Sequence, residues 1–162
     1  MNWGKVAIVS IFVAAIATGA GVWYAQEYGY YENIDPAGPD AIVTATSAAD
    51  GEQTDLPVAD FQGINGTSSP IRWRACFQLT EQPLPDSLTP YAGATPLNAP
   101  GWFDCFDAEQ IGDDLASGAA TAVLGQADIR PDVDRVLAIY PDGRAFGWHQ
   151  YLDKTPERGV MD

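Results

Sequence analysis

The longest hydrophobic run in the chain lies close to the N-terminus. Val6–Ala25 contains 20 residues and no charged side chain. At a rise of 1.5 Å per residue, a helix of this length spans about 30 Å, the thickness of a bilayer's hydrocarbon core. Aromatic residues that favour the headgroup region, Trp3 and Trp23 among them, lie at both ends of the run. The pattern predicts that residues 1–26 form a retained transmembrane anchor; the alternative is a cleaved signal peptide, which Ala15-Ile16-Ala17 would suit.

The charges that flank this run predict its orientation. Lys5 precedes the run, Glu27 and Glu32 follow it, and the next basic residue is Arg72. Because short cytoplasmic segments carry an excess of Lys and Arg, the N-terminus is expected in the cytoplasm. The remainder of the chain is then expected on the other side of the membrane.

Small residues recur along one side of the apolar run. Small residues at spacings of three and four allow two membrane helices to approach closely. The interpretation is a helix-packing stripe, although alanine and glycine are common in membrane helices in any case. Its members are Ala7, Ser10, Ala14, Ala17 and Gly21.

Beyond the anchor, the pattern of polar and apolar residues predicts a short linker and one small domain. Residues 27–54 are acidic and are interrupted by prolines and glycines, so they are interpreted as a linker. Residues 60–70 hold several turn-forming residues and are expected to form a loop or hairpin tip. The domain is assigned to residues 55–162.

Three segments predict the elements of that domain. Residues 71–79 alternate between apolar and polar positions, as in a strand with one core face. Residues 107–117 place Ile111 and Leu115 four apart behind acidic residues, which predicts a short amphipathic helix. Residues 135–151 predict a hairpin that turns at Asp142-Gly143. The expected class is α+β: one N-terminal transmembrane helix, then an antiparallel sheet with one or two short helices.

Charge and composition exclude several classes of function. Eight Lys and Arg stand against 22 Asp and Glu, a formal net charge of −14. Such a surface repels phosphate backbones, so no nucleic-acid partner is expected. With one histidine and two cysteines, zinc fingers and cysteine-ligated clusters are excluded, and no metal or cofactor is expected. Cys76 and Cys105 are predicted to form a structural disulfide, because the compartment outside the cytoplasm is oxidising. A redox pair, the alternative, usually has closer spacing.

Several strings of uncommon residues resemble an alphaproteobacterial family of unknown function. They are Ile64–Pro70, Arg74-Ala75-Cys76-Phe77, Pro100–Asp107 and Trp148-His149-Gln150. The resemblance covers nearly the whole chain and implies a short protein of the bacterial inner membrane, with a single span and a periplasmic domain. Such proteins are sometimes labelled histidine kinases, but this chain has neither a phospho-acceptor dimerisation helix nor a glycine-rich nucleotide lobe.

The expected function is that of a non-enzymatic accessory subunit or assembly factor. Its partner would be an inner-membrane complex, respiratory or photosynthetic, with membrane lipid around the helix. The alternative is a periplasmic ligand-binding or sensor module, or an enzyme that uses His149, the chain's only candidate histidine base. A recognition surface is expected where Trp and Arg, common in binding hot spots, occur together. Its predicted members are Arg72, Trp73, Arg74, Trp102, Trp148 and His149.

Overall fold

The computed structural model describes residues 2–81 and 87–152. Helix α1 spans Trp3–Tyr24 and continues through one π-helical turn to Gly29. No residue of α1 is buried. By its length and hydropathy this helix could be a membrane span or a signal sequence. The predicted N-terminal apolar helix is thereby confirmed.

The rest of the described chain is built on a six-stranded antiparallel sheet. The strand order is β1-β4-β5-β8-β7-β6, and β2 and β3 form a separate two-stranded sheet. One further helix, α2, spans Ala108–Ser117 and completes the α+β class expected from the sequence. The strands are β1 Tyr31–Asn33, β2 Thr44–Thr46, β3 Gln53–Asp55, β4 Val58–Gly66, β5 Arg74–Leu79, β6 Thr121–Arg130, β7 Val133–Ile139 and β8 Arg144–Tyr151.

Local sequence signals account for the ends of α2 and for the turn between β7 and β8. The Asp107 side chain accepts a hydrogen bond from the Gln110 backbone N–H and so caps α2. Gly118 ends the helix in the left-handed region, with φ +79°. Gly143 has φ +86° in the β7–β8 turn, which a side chain would strain. The helix and hairpin predictions are confirmed.

The sheet is covered on both faces, which corrects the expectation that β5 has one solvated face. Trp73, just before β5, and Phe77 belong to the cluster beneath β2 and β3. Cys76 belongs to a second cluster with Phe106 and with Ile111 of α2. Nearly every β5 side chain is therefore buried. The polar positions of β5 face this second layer, which comes from residues distant in sequence.

Two predicted boundaries are wrong. Residues 27–54 are not a linker, because β1 pairs with β4 and Val43 and Ala45 are buried in the core. Residues 60–70 are not simply a loop, because β4 continues through Gly66. In both segments the turn-forming residues are overridden by strand pairing and burial.

Candidate functional site

An open groove of about 670 Å³ lies at the end of the sheet where β4, β6 and β8 finish. The connection from β4 to β5, the β6–β7 turn and the short helical turn Pro39–Ala41 all contribute to its wall. Three other cavities in the described part of the chain are smaller, at about 310, 370 and 530 Å³. Its lining includes Asp40, Asn65, Thr67, Ser68, Ser69, Trp73, Arg130, Arg135, His149 and Tyr151.

His149 forms the inner wall of this groove and has both ring nitrogens engaged. Its Nδ1 lies 2.8 Å from the Pro70 carbonyl oxygen, and Arg135 Nε donates to its Nε2 at 3.1 Å. This pairing fixes the neutral tautomer with the proton on Nδ1. Burial, aided by the positive charges of Arg135, Arg74 and Arg130, lowers the pKa of His149 to about 3, and the bond to Pro70 opposes this shift. His149 is therefore uncharged at neutral pH.

Arg135 is held rigidly beside His149. Its guanidinium carbon lies 4.1 Å from the centroid of the Trp73 ring. Trp73 also stacks on His149, with 4.9 Å between ring centroids. Burial lowers the pKa of Arg135 to about 10, and the charge of Asp40 opposes that shift. Arg135 consequently remains a cation at neutral pH, in a fixed orientation.

Arg74 is buried and serves as a structural clamp. Its guanidinium donates to four backbone carbonyl oxygens, two near the start of β5 and two in the segment 97–98, at 2.7 to 3.3 Å. Burial lowers the pKa of Arg74 to about 10, so the group stays charged at neutral pH. These bonds attach the proline-rich segment before α2 to the sheet.

Gln150 attaches another part of that segment. Its side-chain oxygen accepts from the Thr95 backbone N–H and from Trp148 Nε1, each at 2.9 Å. Its amide nitrogen donates to the Gly93 carbonyl oxygen. Trp148 itself is fully buried. The Trp148-His149-Gln150 string therefore organises the core and the loops around it.

The string from Pro100 to Asp107 joins the second layer to the sheet. Cys105 is bonded to Cys76 of β5, which confirms the predicted disulfide. Phe103 and Phe106 are buried beside it, and Asp107 caps α2.

Trp102, in the same string, contacts the end of the apolar helix. Its Nε1 donates to the Glu27 carbonyl oxygen at 2.6 Å, and its ring stacks on Tyr28. The Gly101 backbone N–H donates to the Glu27 carboxylate. Arg72 lies over the rings of Tyr30 and Tyr31, 5.2 Å from each centroid. Direct contacts therefore join the helix to the domain.

The structure corrects the predicted recognition surface. Trp73, Arg74, Trp148 and His149 are buried, and Arg72 and Trp102 are half-buried against the end of the helix. Most of this set therefore packs within the domain, although Trp73 and His149 also line the groove. The five small residues of the helix stripe, in contrast, are all exposed.

Sequence reasoning missed Arg130, Arg135 and Asp40 as groove residues. Arg130 and Arg135 lie on either side of the β6–β7 turn, so their proximity could be predicted from the sequence. Asp40 is far from them in sequence, and no local pattern predicts that it lies in the same groove. In the described residues, no group of three or more His, Cys, Asp or Glu is arranged to hold a metal ion.

These features define a class of protein: an N-terminal apolar helix attached to a disulfide-linked α+β domain with a groove at one end of its sheet. The chain belongs to the family described as "Family of unknown function (DUF6446)", whose model matches residues 43–157. No curated protein and no solved structure matches the chain.

Proposed function

We propose that this protein is a single-pass protein of the bacterial inner membrane, with its C-terminal domain in the periplasm, and that it acts as a non-enzymatic accessory subunit or assembly factor. Its partner is a membrane complex of the respiratory or photosynthetic chain. The observation that carries the proposal is the junction at Trp102, whose ring and Nε1 contact Tyr28 and Glu27 at the end of the helix. A protein that only needs an anchor has no need for such contacts.

The junction has a mechanical consequence. Two hydrogen bonds to Glu27 and the stack on Tyr28 restrict rotation between helix and domain. A partner that binds the helix therefore also receives the domain in a defined orientation. That arrangement suits a subunit that contacts one complex both within and outside the membrane.

The helix itself offers a continuous surface to a partner. None of its residues is buried by the domain. The stripe from Ala7 to Gly21 leaves room for a second backbone to approach, which is how membrane helices pack. Gly21 has no atom within 4 Å of where a Cβ would lie, so the chain itself does not explain a glycine there.

The geometry of His149 supports a non-enzymatic role over a His149-dependent one. An effective general base has a pKa near the operating pH and a free nitrogen within reach of a substrate proton. Both nitrogens of His149 are engaged, by Pro70 and Arg135, and its pKa is about 3. The side chain is better suited to holding Arg135 in place.

Affinity purification of the full-length tagged protein in mild detergent tests the proposal. We expect membrane proteins of one complex to co-purify with the wild type, and Gly21→Leu to remove most of them by blocking close approach. Gly19→Leu is the matched control, because positions 19 and 21 lie about 160° apart around the helix and neither has a neighbouring atom within 4 Å.

Three results would count against the proposal or part of it. Purification of the wild type without any partner would contradict a subunit role. Equal loss in the Gly19→Leu and Gly21→Leu variants would show a non-specific effect of bulk. Retention of the partner by both variants would refute the stripe as the contact face and place binding in the exported domain.

A further inference from the structure

The groove lies at the end of the sheet from which the apolar helix departs. The helix ends at Gly29 and β1 begins at Tyr31, which pairs with Gly66, the last residue of β4. Strand registers across the sheet place the end of β8 and the β6–β7 turn at that same end. If the helix spans a membrane, this end of the domain is the one next to the lipid headgroups.

The arginines of the described domain divide into two groups. Three lie outside the groove: Arg74 binds carbonyl oxygens, Arg144 pairs with Asp142, and Arg72 lies over two tyrosine rings. The other two, Arg130 and Arg135, both line the groove. In the described part of the chain neither has a carboxylate within ion-pair distance.

The groove consequently carries a charge opposite to that of the whole protein. Its charged lining residues are Arg130, Arg135 and Asp40, while His149 is neutral. That gives +2 − 1 = +1 locally, in a chain whose formal net charge is −14. Two guanidinium groups in one concave site give it a local positive charge, which favours an anionic ligand.

The donors in the groove suit a tetrahedral oxyanion. Arg135 is held by Trp73 and His149, so its guanidinium loses little conformational freedom when it binds a ligand. Thr67, Ser68 and Ser69 of the β4–β5 connection line the same groove and supply hydroxyl and backbone donors. Guanidinium and hydroxyl donors together can serve several oxygens of one phosphate group.

We propose that this groove binds the phosphate group of an organic phosphate, and that its source is the phosphodiester of an anionic lipid headgroup. Arg135 and Arg130 contact the phosphate oxygens, and the hydroxyls of residues 67–69 contact the remaining ones. Asp40 opposes binding by repulsion. The lipid source rests on the proposed membrane anchoring, whereas the phosphate site does not depend on any protein partner.

Lipid retention by the full-length protein tests the site. The protein is purified in mild detergent, exchanged into phosphatidylglycerol or phosphatidylcholine nanodiscs, re-extracted and examined by native mass spectrometry. We expect retention of phosphatidylglycerol, competition by soluble glycerol 1-phosphate, and no comparable competition by acetate. Arg130→Gln removes one charged donor and should weaken competition by glycerol 1-phosphate about tenfold.

Two further variants sharpen the result. Asp40→Asn removes the opposing carboxylate and should strengthen phosphate binding several-fold. Arg144→Gln is the matched control, because Arg144 is an exposed arginine in the β7–β8 turn and does not line the groove. It should bind as the wild type does.

The outcomes separate the possibilities. Competition by glycerol 1-phosphate without lipid retention would support a phosphate site but contradict the lipid source. Competition by acetate as strong as by glycerol 1-phosphate would overturn the assignment to phosphate. Equal effects of Arg130→Gln and Arg144→Gln would overturn the site. The partner protein is tested separately, by co-purification. If no partner co-purifies, the proposed function is refuted, but a positive result for phosphate binding remains valid.

Discussion

Lowering the pH should destabilise this protein through a single group. The chain contains one histidine, so His149 is the side chain expected to dominate titration between the range of the carboxylates and neutral pH. In the folded state its pKa is lowered to about 3 by burial, from a reference value of 6.5. Between these values the unfolded chain binds a proton that the folded chain does not. The free energy of unfolding therefore falls as the pH falls through 6.5.

The size of the effect follows from the two pKa values. Going from pH 7.5 to 5.5, the unfolded state gains about 1.4 kcal/mol from protonation, at about 1.4 kcal/mol per pKa unit. Any folded-state pKa below about 4.5 gives nearly the same loss, because His149 is then neutral throughout this range. The prediction thus depends on the burial of His149 and on its bonds to Pro70 and Arg135.

Urea unfolding of the full-length protein in detergent, followed by near-ultraviolet circular dichroism, measures this loss. His149→Gln is the informative variant, since an amide can still donate to Pro70 and accept from Arg135 but does not titrate. We expect the wild type to lose about 1.4 kcal/mol between pH 7.5 and 5.5 and the variant to lose little. A wild type whose stability does not change, or a variant as pH-sensitive as the wild type, would refute the reasoning.

Two further predictions concern the clamps around β5. Protein trapped with a thiol-blocking reagent directly from cells should contain the Cys76–Cys105 bond, and its mass should rise by two hydrogens on reduction; free thiols would contradict a periplasmic location. Closing a loop with a sequence separation of 29 stabilises the fold by about 3–4 kcal/mol in the chain-entropy view, so Cys105→Ala should lower the urea midpoint accordingly. Arg74→Met leaves four carbonyl oxygens without their donor and should cost about 3 kcal/mol or more. Arg144→Met, in an exposed ion pair, should leave the midpoint unchanged, and similar losses in both variants would refute the clamp.

The sequence predicts those helices and turns that are determined by neighbouring residues. The α2 helix has its cap at Asp107 and its stop at Gly118, and the last hairpin has Asp142-Gly143. The apolar helix follows from its length alone. For these elements the determining residues lie within a few positions of each other, so the local sequence is sufficient to predict them.

Sequence-based prediction fails where the local structure depends on contacts with residues that are distant in sequence. The sequence alone predicts a linker where β1 lies, because the three residues of β1 gain strand structure only through pairing with β4. The sequence does not show that Arg74 is buried, because two of the carbonyl oxygens that accept its hydrogen bonds, in residues 97–98, lie more than twenty positions away. The groove was missed for the same reason, since Asp40 and Arg135 meet only in the folded chain.

The Arg74–Phe77 and Trp148–Gln150 strings have structural roles in the domain. Arg74 attaches the 97–98 segment, Gln150 attaches Thr95, and His149 supports Arg135. Folding alone thus explains why these residue types occupy these positions, and they give no reason to infer catalysis. The features that folding does not explain are exposed: the small stripe ending at Gly21, and Arg130 at the mouth of the groove. Substitutions at these exposed positions can change function without changing stability. Substitutions in the buried strings change stability as well, so they cannot distinguish a functional role from a structural one.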